Sequence, residues 1–155
     1  YLRYLTDSSQ SRYESTDQVY SVRYDERGRL YAGGLSGFVA AFGGPGLADP
    51  VVAVPSGDAI GLAVSPGGRL LTMSSTGGTL RIATADHLEL IGEHRLSDSD
   101  LLRTLFVDEH TTVVSTRDGW IHSYRLRPGE TAVTRPCMRS PRPADRCGRE
   151  TTRVS

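Results

Sequence analysis

LLRTLFVDEHTTVVSTRDGWIHSY, residues 101–124, holds three short runs rich in β-branched and aromatic residues. They are separated by Asp108-Glu109-His110 and by Asp118-Gly119, residue types that favour turns. Two earlier segments superimpose on it: VYSVRYDERGRLYAGGLSGFVAAF at 19–42 and AIGLAVSPGGRLLTMSSTGGTLRIA at 59–83. Gly37, Gly78 and Gly119 stand 41 residues apart, and so do Phe42, Ala83 and Tyr124. A fixed period of this length marks a repeat architecture, in which each unit buries its apolar face only against its neighbours.

Each unit divides into strands. The first set is predicted at 19–24, 60–64 and 102–107, the second at 29–32, 69–73 and 111–115, and the third, after the period glycine, at 38–42, 79–83 and 120–125. A less regular fourth set falls at 51–54, 87–91 and 131–134. Ile60, Leu62 and Val64 alternate onto one face, and no window carries a helical period over ten residues. Four short antiparallel strands per 41 residues describe one blade of a β-propeller, so the expected architecture is all-β, an arc of about three four-stranded blades within a larger propeller. The expected divisions are blades at about 19–58, 59–100 and 101–135, preceded at 1–18 by the end of another blade or a linker. In that leading segment, residues 1–5 (YLRYL) suit a third strand and residues 12–15 a fourth. Residues 136–155, rich in arginine and proline and poor in apolar side chains, read as a flexible tail, because they offer little burial against the entropy of ordering.

Composition narrows the function classes. The chain has 155 residues, 18 basic and 18 acidic, with no net charge. That balance provides no bulk attraction to nucleic acid or to an anionic membrane. Every basic side chain is arginine. No apolar run approaches 18 residues, so no membrane-spanning helix is expected. The two cysteines, Cys137 and Cys147, match no zinc spacing and read as incidental thiols of an intracellular protein, cytoplasmic or nuclear, although a disulfide between them would close a small loop.

The segment RLLTMSSTGGTLRIA and, more closely, STRDGWIHSY resemble the WD40 repeat, in which a strand, an Asp-Gly turn and a strand ending in tryptophan follow one another. Asp118-Gly119 stands in the turn, and Tyr124 in the tryptophan place. The resemblance implies a buried structural network joining the turn Asp118 to His94 and to Ser115 or Thr116, with Tyr124 at the blade contact. The pattern is degenerate. Ser36 and Gly77 replace Asp118 in the other two repeats, no Trp-Asp dipeptide occurs, and the likeness covers residues 19–134 in period and strand order more than in motif. Other propeller types, such as the gluconolactonase-like and NHL ones, share these general features.

No catalytic constellation and no cofactor site emerges from the residues. Gly43-Gly44-Pro45-Gly46 follows a strand, but no helix and no lysine follow it, so it reads as a loop and not a phosphate cradle. His87, His94, His110 and His122 form no metal-binding helical pair, and no metal site is expected. Gly34-Leu35-Ser36-Gly37 falls short of a nucleophile elbow. A lactonase-like or sugar-ester hydrolase propeller, holding a metal in its channel through Glu, Asp and Asn, is the alternative; the chain contains no asparagine.

The expectation is therefore a non-catalytic protein-interaction scaffold, a component of a multi-subunit assembly whose partners are other proteins. Propellers bind through loops at one end of the channel. The loops expected there are 34–36, 56–58, 75–77, 93–100 and 116–118, with Arg95, Arg117 and Trp120 as anchors and Asp98 and Asp100 as acidic candidates. Trp120 suits blade packing equally well.

Overall fold

In the computed structural model the backbone is described at residues 2–6, 9–13, 18–35, 37–43, 52–55, 58–126 and 134–139, and the side chains at 18–35, 37–43 and 58–126. The first two strands, β1 (Leu2–Thr6) and β2 (Ser9–Tyr13), form an antiparallel pair with Leu2 opposite Tyr13. Three four-stranded antiparallel sheets follow. Blade 1 comprises β3 (Val19–Tyr24), β4 (Arg29–Gly34), β5 (Phe38–Gly43) and β6 (Val52–Pro55). Blade 2 comprises β7 (Gly61–Val64), β8 (Leu70–Ser74), β9 (Thr79–Thr84) and β10 (Leu90–Arg95). Blade 3 comprises β11 (Leu101–Phe106), β12 (Thr111–Thr116), β13 (Trp120–Arg125) and β14 (Thr134–Arg139). Within each sheet the strands pair in chain order, the up-and-down arrangement of a propeller blade.

The fourth strands depart most from the sequence expectation. β10 begins at Leu90, not at 87, because a turn occupies the intervening residues: Leu88 N–H donates to the Thr84 carbonyl at 2.9 Å, and Leu88 takes φ +56°. β14 lies at 134–139 where 131–134 was expected, and it passes through Pro136, inside the segment read as a tail. Pro136 stands opposite His122 on β13, and β14 is the last strand of its sheet, the position where proline is tolerated because only alternate N–H groups of an edge strand join the ladder. Residues 140–155, with Cys147, lie outside the described residues, as do 44–46 of the glycine run.

Two apolar clusters join the blades. Tyr31, Val39 and Ala41 of blade 1 pack with Leu62, Leu71, Met73 and Ala83 of blade 2. Leu80 and Ile82 of blade 2 pack with Leu101, Val114 and Tyr124 of blade 3. Alternation along each strand thus gives blade 2 two buried faces, one toward blade 1 and one toward blade 3. Burial pushes the Tyr124 phenol up to about 12, and burial followed by the neighbouring Asp25 carboxylate does the same to Tyr31.

A buried hydroxyl chain crosses the second contact. Thr104 Oγ1 lies 3.0 Å from Thr72 Oγ1 and 2.9 Å from Thr112 Oγ1, and Thr112 donates to the Leu105 carbonyl at 3.0 Å. Each hydroxyl can both donate and accept, so the chain keeps all three satisfied out of water. At the first contact Leu62 N–H donates to Ser21 Oγ at 3.2 Å.

His122 is the exception. It shares a face with Tyr124, and both ring nitrogens are buried with no hydrogen-bond partner among the described residues. Desolvation holds its pKa below the ordinary 6.5, with the Asp118 carboxylate acting in the opposite direction. The unfolded chain therefore binds a proton that the folded chain resists, and stability is expected to fall as pH drops below about 6.5. Urea unfolding between pH 8 and pH 5 should show that fall, and His122→Phe should flatten it. Asp100 and Asp108, whose pKa values are lowered, act only in a more acidic range. An unchanged slope in the variant would remove His122 as the cause.

Candidate partner-binding surface

An up-and-down blade sends its β-turns alternately to its two ends. The β4–β5, β8–β9 and β12–β13 turns and the links between blades therefore gather at one end. The period glycines are required there: Gly37, Gly78 and Gly119 take φ of +92°, +81° and +91°, a region open to glycine and costly for residues with a Cβ. Five contacts knit these segments into one rim. Ala59 N–H donates to the Gly34 carbonyl at 2.8 Å, and Leu101 N–H to the Ser75 carbonyl at 3.0 Å. Asp58 accepts from the Thr76 amide at 2.6 Å and from the Thr76 hydroxyl. Asp100 accepts from the Gly77 amide at 3.0 Å and from Arg117 Nη1 at 3.1 Å.

Asp100 is the hub, holding the blade 2 turn with one carboxylate oxygen and the blade 3 turn with the other. The Gly77 amide, and then Arg117, keep its carboxyl pKa below the usual range. The pair with Arg117 is exposed, so its value to stability is small and its chief effect is to position the guanidinium. Arg95, at the end of β10, pairs with the exposed Asp98 at 3.1 Å. Trp120 opens β13 half-buried, its N–H donating to Thr116 Oγ1 at 2.9 Å.

Of the residues assigned to a blade network, Thr116 and Asp118 meet: the buried Thr116 hydroxyl donates to Asp118 Oδ1 at 2.5 Å. Ser115 alternates onto the opposite face of β12 and takes no part. His94 lies within β10, not in a loop, and its ring packs on Tyr124 with centroids 5.0 Å apart. Asp118 itself is exposed.

The opposite end also carries blade-to-blade ties that a single sequence does not mark. Glu109 accepts from Ser65 Oγ at 3.0 Å and from the Gly67 amide at 2.6 Å. Arg29 reaches the Ala85 carbonyl at 3.3 Å and the Asp86 carboxylate at 3.2 Å. These residues lie 44 and 57 positions apart in pairs such as Ser65–Glu109 and Arg29–Asp86, and nothing in their local pattern signals the contact.

Solved structures with the same arrangement are propellers. The Cps50 (Swd1) β-propeller domain of Myceliophteria thermophila matches with TM-score 0.66 at 16% identity, over 79% of this chain and 40% of that one. The RRP9 WD40 repeats match with TM-score 0.67 at 9% identity, over 77% of this chain and 42% of that one. Kluyveromyces lactis Hsv2 matches with TM-score 0.65 at 15% identity, over 83% and 49%. The chain has the fold of a WD40 β-propeller arc. It spans about two fifths to half the length of these structures. No protein-family model matches the sequence, and no curated protein does. The WD40 fold is thus carried here by period and strand order under strongly divergent side chains. Among the described residues, no three His, Cys, Asp or Glu side chains are grouped to hold a metal ion, and no helix is long and apolar enough to cross a membrane.

Proposed function

We propose that this WD40-fold arc is a non-catalytic platform for protein partners, an intracellular component of a larger assembly. One observation supports the reading above the others: the β8–β9 and β12–β13 turns and the links between blades are bound into one rim by Asp58 and Asp100, with Arg117 held on its surface. A pre-ordered rim loses little entropy when a partner docks, and arginine is a favoured anchor at such contacts. The metal-dependent hydrolase alternative finds no support in the described residues.

Affinity capture with the 155-residue chain, read by quantitative mass spectrometry, tests this. Arg117→Glu should reduce retention of a specific partner about tenfold or more, the cost of one interfacial anchor. Arg27→Glu, at the opposite end beside Asp86, should leave retention unchanged. Equal loss in both variants, or no specific partner with the wild-type chain, would defeat the proposal.

A further inference from the structure

Each blade leaves its outermost strand with one free edge, and the three described outer strands differ at that edge. β6 is four residues long and ends in Pro55. β14 passes through Pro136. Proline lacks an N–H to offer an added strand, and short or proline-bearing edges guard against unwanted pairing. β10, the outer strand of the middle blade, runs LIGEHR over six residues with no proline, at the edge of its sheet. It also begins with two large apolar side chains turned to solvent, Leu90 at 53% exposure and Ile91 at 55%.

Register decides which main-chain groups of β10 are open. Leu96 N–H donates to the Gly78 carbonyl at 2.8 Å, so Leu96 faces β9. Main-chain groups alternate along a strand, so His94 and Gly92, opposite Leu80 and Ile82, face β9 as well. Glu93 and Arg95 therefore turn their N–H and C=O groups outward. Their side chains share a face with Arg81, which stands opposite Glu93 and meets its carboxylate at 2.9 Å. His94 lies on the other face, against Tyr124. The register shifts between Leu90 and Gly92, a bulge that ends the regular ladder at Ile91. The open edge is thus short and patterned: two residues of opposite charge with outward main chain, then an apolar pair.

We propose that β10 receives an extended peptide of a protein partner as a fifth, antiparallel strand of blade 2, and that the peptide carries the order acidic–x–basic–x–apolar. An antiparallel strand passes Arg95 first, then Glu93, then Ile91. An acidic side chain then lies opposite Arg95, a basic one opposite Glu93, and an apolar one against Leu90 and Ile91. Opposite charges directly across a sheet attract, and like charges repel. Neither charge of β10 is locked against this. Arg95 pairs with the almost fully exposed Asp98, an ion pair of little net worth. Glu93 is exposed and meets Arg81 through Oε2, which leaves Oε1 for the peptide. Outward main-chain groups supply affinity, and the alternating side chains supply selection. The surface is distinct from the Arg117 rim.

Fluorescence anisotropy tests the proposal with two labelled synthetic peptides, GSTDTRTLTG and its charge-swapped form GSTRTDTLTG, titrated with the 155-residue chain. The first should bind with a Kd of about 100 μM or tighter, and about fivefold or more tighter than the second, as two cross-strand charge pairs change from attraction to repulsion. Glu93→Pro deletes one outward N–H and no bond to β9, so it should weaken the first peptide about tenfold with unchanged circular dichroism. The double variant Glu93→Arg, Arg95→Glu should reverse the preference between the peptides. If either variant loses its sheet signal, Arg95→Glu alone replaces it and should bring the two affinities within about twofold. Arg117→Glu should leave both titrations unchanged; a loss of binding there would assign the peptide to the rim and overturn the proposal. Absence of saturable binding to the wild-type chain also overturns it, as do equal affinities for the two peptides, a Glu93→Pro chain that binds like the wild type, or charge variants that keep the original preference.

Discussion

Replacing Leu62 by alanine is expected to lower the unfolding free energy by about 3 kcal/mol, within the range for truncating a fully buried leucine. Leu62 lies on the leading face of blade 2, in the cluster with Tyr31, Val39 and Ala41 of blade 1 and with Leu71 and Met73 of its own sheet. The truncation removes apolar contact from both sheets at once. The cavity cannot close unless one blade shifts on the other, and the Ser21–Leu62 and Gly34–Ala59 hydrogen bonds oppose that shift. Urea unfolding followed by circular dichroism reads the loss. Leu90→Ala, at the exposed start of β10, is the control and should change stability by no more than about 0.5 kcal/mol. Equal losses at the two positions would mean that the blade contact does not hold the arc together.

Gly78→Ala is expected to cost about as much or more, from backbone sterics instead of a void. Gly78 takes φ +81°, which costs a residue with a Cβ about 1–2 kcal/mol. A Cβ there would also stand 1.8 Å from the Ser97 carbonyl oxygen and 3.0 Å from that of Ser99. Both are backbone atoms of the link to blade 3, so the clash is relieved only by moving that link. Moving it breaks the 2.8 Å bond from Leu96 N–H to the Gly78 carbonyl and loosens the rim around Asp100. The neighbouring Gly77 separates the two causes. Its φ is +79°, yet nothing lies within 4 Å of its Cβ direction, so Gly77→Ala should cost only the conformational strain, about 1–2 kcal/mol. Thermal melts of both variants under one condition test the difference. Gly78→Ala melting at or above Gly77→Ala would show that the link between blades 2 and 3 is not packed as described.

The same pair of glycines shows where legibility ended for the candidate site. Gly78 was marked in the sequence by its 41-residue spacing from Gly37 and Gly119, and all three take positive φ. The loops that gather at the rim were also legible, because strand count alone dictates which turns share an end of an up-and-down sheet. The joints were not. Asp100 looked like one of several acidic residues in a turn-rich loop, and only the placement of Gly77 and Arg117 makes it a hub. The resemblance-based pairing of Asp118 with His94 has no hydrogen bond in the structure, because β10 starts later than its sequence suggests and carries His94 within the sheet, against Tyr124.

By itself, then, the sequence determined the all-β class, the repeat length, the first three strands of each blade and the glycines at the tight turns. Those properties are local: alternation of apolar side chains sets a strand, and a positive φ selects glycine, wherever the segment later packs. Tertiary structure decided the fourth-strand boundaries, the Thr72–Thr104–Thr112 hydroxyl chain, the burial of the His122 ring and the exposure of β3 and β11. Each of these depends on which atoms of a neighbouring blade lie within a few ångströms, and residues tens of positions apart leave no periodic trace of that proximity along the chain.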